Sequence, residues 1–311
     1  MSVYKIHTVT LHADAQAGAV HVPDFLSHEL DLGPVISSEV PSAEFSPTHI
    51  SHVASKIAES LETWAIQTIL DETGLTGMPI KTAINPGVTT YLQKFDDEGD
   101  PAAGAVHRSL NFLQGIVVPL GISIDNQGHA SLRFTILGMQ KTTNAPVVIS
   151  DVAALPTITI TSARWTLGKI TIAGTVLPKK TGLEISFGNT IETMATDSDV
   201  YDTLVSIRTH EPSFTVTGVD PTWLSSVVAL DGTACTHANT SVYLRKRAAD
   251  GINFVADITA EHLKFTLDGI AVPTKAYGAD GRTIVDNGIL VTGKKDGSGN
   301  NPMVYAVAAI T

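Results

Sequence analysis

Only one cysteine, Cys235, occurs in 311 residues, so no internal disulfide can brace the fold and stability has to come from packed side chains. A lone thiol of this kind is usually a small buried apolar group rather than a nucleophile. Aromatic residues are scarce at 6%, with three Trp and six Tyr, which argues against the exposed aromatic platform of a sugar-binding module. Positive charge is also short: Lys and Arg number 20 against 31 Asp and Glu, a net charge of -11. Gripping a phosphate backbone needs the opposite balance. No run approaches the roughly 18 apolar residues of a membrane-spanning helix. The amino terminus, M-S-V-Y-K-I-H-T-V-T-L-H, lacks the basic segment and apolar core of an export signal, and we expect a cytoplasmic start. Catalytic signatures are missing too. H-E-x-x-H, G-x-S-x-G, G-x-x-x-x-G-K-[ST] and a G-x-G-x-x-G opening a helix do not occur, so we expect neither an enzyme nor a cofactor.

What the chain does contain is a repeat. E-L-D-L-G-P-V-I (Glu29 to Ile36) is answered by E-I-S-F-G-N-T-I (Glu184 to Ile191). Tyr91-Leu92-Gln93-Lys94 is answered by Tyr243-Leu244-Arg245-Lys246, and Gly115 to Pro119 by Gly269 to Pro273. Thr63-Trp64 reads against Thr222-Trp223, and Gly138 with Pro146 against Gly293 with Pro302. The offset stays near 155 residues, the mark of a tandem duplication. With 43% hydrophobic residues the chain can fill two cores, which we assign to domains 1–155 and 156–311. Charge is shared unevenly: 7 Lys/Arg against 16 Asp/Glu before residue 156, and 13 against 15 after it.

Periodicity predicts strands. Thr157 to Thr161, Lys169 to Ile172, Ser213 to Thr217 and Leu263 to Leu267 alternate with β-branched and aromatic residues, as half-buried sheet does. Turns are expected at Asp125 to Gly128, Asp250-Gly251, Asp280-Gly281, Asp286 to Gly288 and Lys295 to Asn300. Each unit also carries one helical pattern. In the second, Asp220 caps, Pro221 starts and Gly232 ends it, with Trp223, Val227 and Leu230 on one side. In the first it runs from about Ser60 to Glu72 and stops at Gly74. The stretch His49 to Ala58 fits helix or strand, and Ser150 to Pro156 reads as the junction. The expected fold is therefore mainly β: tandem antiparallel β-sandwich or barrel-forming domains, each flanked by one α-helix, with Trp64, Trp223 and Trp165 in the cores.

Polar clusters give little chemistry. His49 and His52 have an i, i+3 spacing but no partner ligands, and neither recurs in the second unit. Asp96-Asp97-Glu98-Gly99-Asp100 lacks the alternating oxygens of a calcium loop and reads as a solvated turn. Arg245-Lys246-Arg247 suits a subunit contact better than a nucleic-acid reader. Alternation turns Leu30, Leu32, Ile185 and Phe187 toward the core and Glu29, Asp31 and Glu184 outward, giving both units an acidic strand face; wetted residues on a half-exposed strand are the plainer reading of the same pattern.

The succession Ser213 to Leu224 (S-F-T-V-T-G-V-D-P-T-W-L), Thr240 to Gly251 (T-S-V-Y-L-R-K-R-A-A-D-G) and Ala260 to Ile270 (A-E-H-L-K-F-T-L-D-G-I) resembles the major tail tube proteins of long-tailed bacteriophages. The likeness covers the second unit best and reaches the first through the repeat. It implies a β-sandwich with a flanking helix, set in rings whose inner sheets form a continuous barrel and which stack into a hollow tube conducting DNA. For a duplicated chain it implies a homotrimeric, pseudo-hexameric ring. The partners it implies are copies of the chain itself, the tape-measure, tail-terminator and distal tail proteins, and DNA in transit, with no membrane; the location it implies is the virion tail, assembled in the host cytoplasm. On that reading Glu29, Asp31 and Glu184 are candidates for the lumen wall, where acidic groups keep phosphates from sticking. The alternatives are another virion decoration or adhesin-like protein, a carbohydrate-binding sandwich and, last, an enzyme.

Overall fold

Alternation of apolar and polar side chains lays down almost every element. The computed structural model describes residues 3–11, 20–31, 36–38, 50–52, 57–72, 83–84, 87–96, 98–101, 104, 106–125, 128–140, 145–159, 161–196, 201–220, 222–223, 236–278, 286–293 and 303–311. The first half holds β1 (Val3–Leu11), β2 (Val20–Val22), β3 (Phe25–Asp31), β4 (Ile36–Ser38), β5 (Ile50–His52), β6 (Ile57–Thr63), helix α1 (Ile66–Glu72), β7 (Ala83–Ile84), β8 (Val88–Phe95), β9 (His107–Phe112), β10 (Gly115–Asp125), β11 (Ser131–Gly138) and β12 (Val147–Val152). The second holds β13 (Trp165–Ile172), β14 (Thr175–Val176), β15 (Lys180–Ser186), β16 (Asn189–Met194), β17 (Leu204–His210), β18 (Ser213–Gly218), β19 (Thr236–Lys246), β20 (His262–Gly278), β21 (Asp286–Gly293) and β22 (Met303–Ala308).

Five strands form one sheet, in the order β12-β9-β8-β1-β2. A 13-stranded sheet runs β14-β13-β19-β20-β21-β18-β15-β10-β11-β6-β3, with β22 beside β20 and β7 beside β10. Hairpins β4–β5 and β16–β17 stand apart as two-stranded sheets. Between the layers lies one apolar core, in which Val9, Phe112, Leu61 and Phe134 of the first half continue into Ile185, Phe214, Phe265 and Val291 of the second. Burial of this apolar area is the main favourable term in folding.

The two halves pair their strands in the same order. β1 joins β2 and β8, as β13 joins β14 and β19. β9 lies between β8 and β12, as the start of β20 lies between β19 and β22. The chain β10-β11-β6-β3 matches the end of β20 followed by β21-β18-β15. Registers agree as well: Glu29 faces Ser60 where Glu184 faces Thr215, and Leu30 faces Glu59 where Ile185 faces Phe214. Register shifts fall after Phe25 and Lys180, and again after Pro119 and Pro273. Gly115 pairs with Gly138, and Gly269 with Gly293. A Cβ on Gly115 would sit 1.8 Å from the Leu137 carbonyl oxygen, and one on Gly269 would sit 2.1 Å from that of Thr292. Both positions require glycine.

Several sequence expectations need correction. The first helix begins at Ile66, because Ile57 to Thr63 alternates buried and less buried positions and pairs with β3 and β11. Thr157 to Thr159 is not strand, although it alternates: an alternating run needs an edge to pair with, and among the described residues this connector pairs with no strand. Asp286 to Gly288 opens β21 instead of turning, and Ser150 to Val152 completes β12 ahead of the junction. Trp64 does not hold the place of Trp223. Its N–H donates to the Asp24 carbonyl at 3.2 Å, the bond that Val219 makes to Lys179, also at 3.2 Å. Asp24 and Lys179 both take positive φ, 63° and 49°. Trp64 is accordingly half-buried, whereas Trp165 and Trp223 are 1% and 0% exposed. Asp220 Oδ1 accepts from the Thr222 N–H at 3.0 Å, but Pro221, Val227, Leu230 and Gly232, on which the second helix rests, lie outside the described residues, as do Leu32, Gly74, Asp280-Gly281 and Lys295 to Asn300.

Candidate assembly surface

The outer face of the long sheet is polar because the same alternation that buries Leu183, Ile185, Phe214 and Val216 turns their neighbours outward. Glu29, Asp31 and Glu184 are all exposed, and the matched registers of β3–β6 and β15–β18 set the two glutamates on the same sheet face. Arg133 Nη2 donates to Glu184 Oε1 at 3.3 Å, with both side chains about half exposed, so this pair contributes little to stability. Ser131 donates to Glu62 at 2.5 Å. A shallow depression here is lined by Glu62, Ser123, Arg133, Glu184, Thr215 and Thr217. Such a surface offers wet hydrogen bonding and one guanidinium.

Strand edges supply the stronger interaction. β10 pairs with β15, Gly121 opposite Ser186, Ser123 opposite Glu184 and Asp125 opposite Gly182, so the two halves join edge to edge as one continuous sheet. By the shared registers, the strand in the first half that matches β15 is β3, and the segment in the second that matches the end of β10 is the end of β20. Among the described residues β3 terminates the sheet, and from Ala271 onward β20 is paired only on the β21 side. Among the described residues both edges that meet inside the chain are therefore presented again, one on β3 and the other on the end of β20. Unpaired ladder groups of this kind are templates for another strand.

Polar ties pin the two halves together. Asp24 accepts from the Ser162 hydroxyl and, at 3.1 Å, from Arg164 Nη1, while the Arg164 guanidinium lies 4.3 Å from the Trp64 ring centre. Burial pushes the Asp24 carboxyl up, but its bonds to Ser162 and Arg164 outweigh this and hold it below the usual carboxylate range. Tyr305 donates to Asp71 Oδ1 at 3.2 Å; burial and the neighbouring carboxylate raise its phenol above the ordinary value.

The remaining sequence candidates resolve individually. Asp96 Oδ1 accepts the backbone N–H groups of Glu98 and Asp100 at 3.0 and 2.9 Å, and Asp250 does the same for Ile252 and Asn253 at 2.9 Å each. Each of these two aspartates closes a turn on its own backbone. Asp97 is outside the described residues, as are His49 and Cys235, and His52 lies in β5. Among the described residues no group of three His, Cys, Asp or Glu is arranged to hold a metal. Arg245 pairs with Asp257 at 2.8 Å and Lys246 with Glu261 at 2.7 Å, while Arg245 and Arg247 stack on Phe254, so the basic run is engaged within its own half.

Sequence reading missed a buried polar trio. Glu59 is 0% exposed; its Oε1 lies 2.5 Å from His28 Nε2, and its Oε2 accepts from the Thr90 hydroxyl at 2.6 Å. The matching second-half positions are Leu183, Phe214 and Val242, all core. The 155-residue offset, applied to Glu59, would have exposed the exchange. It would also have paired His107 with His262, whose Nδ1 atoms accept the N–H of Lys94 at 3.2 Å and of Lys246 at 3.0 Å.

Among the described residues no helix is long and apolar enough to cross a membrane. No protein-family model matches the chain, and no curated protein matches it.

Proposed function

We propose that this chain is a structural virion protein that joins copies of itself edge to edge into rings, stacked as the hollow tail tube of a long-tailed bacteriophage. The observation that carries this reading is the β10–β15 pairing: one chain already contains the joint, and among the described residues β3 and the end of β20 carry the same pair of edges unpaired. Heterologous contacts that repeat with a fixed rotation close into rings. The common pairing scheme supports a tandem duplication into domains 1–155 and 156–311, and with it a ring of three chains and six units. Copies of the chain are the principal partners; tape-measure, tail-terminator and distal tail proteins follow from the resemblance, as does a role without catalysis. Glu29, Asp31 and Glu184 are the lumen candidates, since they are exposed on one sheet. DNA then passes a wall whose carboxylates repel phosphate.

A sugar-binding module is less well supported. Trp165 and Trp223 are buried and Trp64 is stacked under Arg164, so the tryptophans form no platform. Negative-stain microscopy with native mass measurement tests the proposal. Rings of three chains or tubes of stacked rings are expected, and a protein that stays monomeric at every concentration overturns it.

A further inference from the structure

Hairpin β16–β17 folds back over the first half. Its Ile191, Val205 and Ile207 pack against Ile116, Val118 and Leu137 of β10 and β11, which leaves Ile116 8% exposed and the other two 0%. The same register that sets Ile116 opposite Leu137 sets Ile270 opposite Thr292, and Val272 takes the place of Val118. Among the described residues nothing covers this face to the same degree: Val272 is 41% exposed, Thr292 is exposed and Ile270 is half-buried. Among the described residues one sheet face is roofed in the first half and left open in the second.

The hairpin able to roof it is already in the chain. β4–β5 pairs Ile36 with His52 and Ser38 with Ile50, as β16–β17 pairs Ile191 with Ile207 and Thr193 with Val205. Ile36 therefore holds the position of Ile191, three residues after the matching glycine, and Ile50 holds that of Val205. Each hairpin also follows an edge-forming strand, β15 in one case and β3 in the other. Within a single chain the second docking cannot happen. Seven strand spacings separate β3 from β20, about 34 Å along the sheet, whereas the chain from Asp31 to Ile36 reaches at most about 17 Å.

We infer that the β4–β5 hairpin of one copy lies over Ile270 and Val272 of the neighbouring copy, sealing the joint that β3 and the end of β20 make. This rests on the ring reading and adds a second contact to it, made through side chains rather than backbone. The intramolecular arrangement is its template: wherever a β15-type strand adds to a β10-type edge, the hairpin that follows covers the adjoining apolar positions.

Two variants test it. Val272→Asp alters an exposed position, so its melting midpoint should match the parent while ring and tube formation is lost at concentrations where the parent assembles. Separately, in a Cys235→Ser background, Ile36→Cys with Val272→Cys should give multi-chain disulfide species on a non-reducing gel once assembled and oxidised, and monomer after reduction. Should Val272→Asp also lower the melting midpoint, the cross-link alone decides. Parent-like tubes from Val272→Asp, or assembled cysteine variants that form no bond between chains, assign the face to another occupant and overturn the inference while the tube reading stands. A parent protein that never assembles defeats the tube reading itself, and the hairpin contact with it.

Discussion

Glu59, His28 and Thr90 occupy core positions for which the other half uses Phe214, Leu183 and Val242. A buried polar cluster of this kind is costly when broken and dispensable when replaced as a unit. We expect His28→Leu alone to destabilise by about 1–3 kcal/mol, since it strips one partner from a buried carboxylate. The triple change His28→Leu, Glu59→Phe, Thr90→Val should recover that loss or exceed the parent by about 1 kcal/mol or more. Urea midpoints check both, and a triple variant less stable than the single one refutes the argument. The tryptophans should separate in the same assay. Trp223, wholly buried with its Nε1 donating to the Pro178 carbonyl at 3.0 Å, should cost about 3–5 kcal/mol on conversion to alanine. Trp64, half-exposed under Arg164, should cost about 1 kcal/mol, the scale of a cation–π contact; equal losses would contradict the burial difference.

At the scale of elements, the strands were readable where alternation and a partner coincide. Lys169 to Ile172, Ser213 to Thr217 and Leu263 to Leu267 lie in β13, β18 and β20, and the motif around Glu29 and Glu184 marks matched registers. Ser60 to Thr63 is ambiguous in sequence because Leu61 and Trp64 stand three apart, a spacing that fits a helix face as well as a strand followed by a turn. The β10–β15 joint was illegible, since which edges meet depends on geometry between halves and leaves no local pattern. The acidic strand face was visible as positions, while the Asp24–Arg164 tie, 140 residues apart, had no signal in spacing at all. This tie carries a pH signature. A carboxyl held below its unfolded value of about 3.9 stabilises the fold above that pH, and the contribution drains away as pH falls through the lowered folded value. Asp24→Asn should therefore lower the melting midpoint at about pH 6 and bring the two proteins together at about pH 2. A constant gap across that range would remove Asp24 from the account.

For the whole molecule, the proposed tube makes charge on the sheet face the control on what passes it. Glu29→Lys with Glu184→Lys leaves core residues untouched, so tubes should still form, while a confined positive wall retains phosphate. Genome ejection should slow several-fold at low salt and recover at high salt; parent-like ejection under both conditions would move these carboxylates away from the channel. The β10–β15 joint has one last consequence, in how such an assembly fails. Its two strands are tethered by the segment running from Val152 to Trp165 and through β13, so a broken seam there faces its partner at an effective concentration near the millimolar range and closes again at once. A seam between chains has no leash and reseals only at the concentration of free protein. If the proposed ring forms, dilution or load should therefore open it at every second joint, and what comes away should be a whole chain, never half of one.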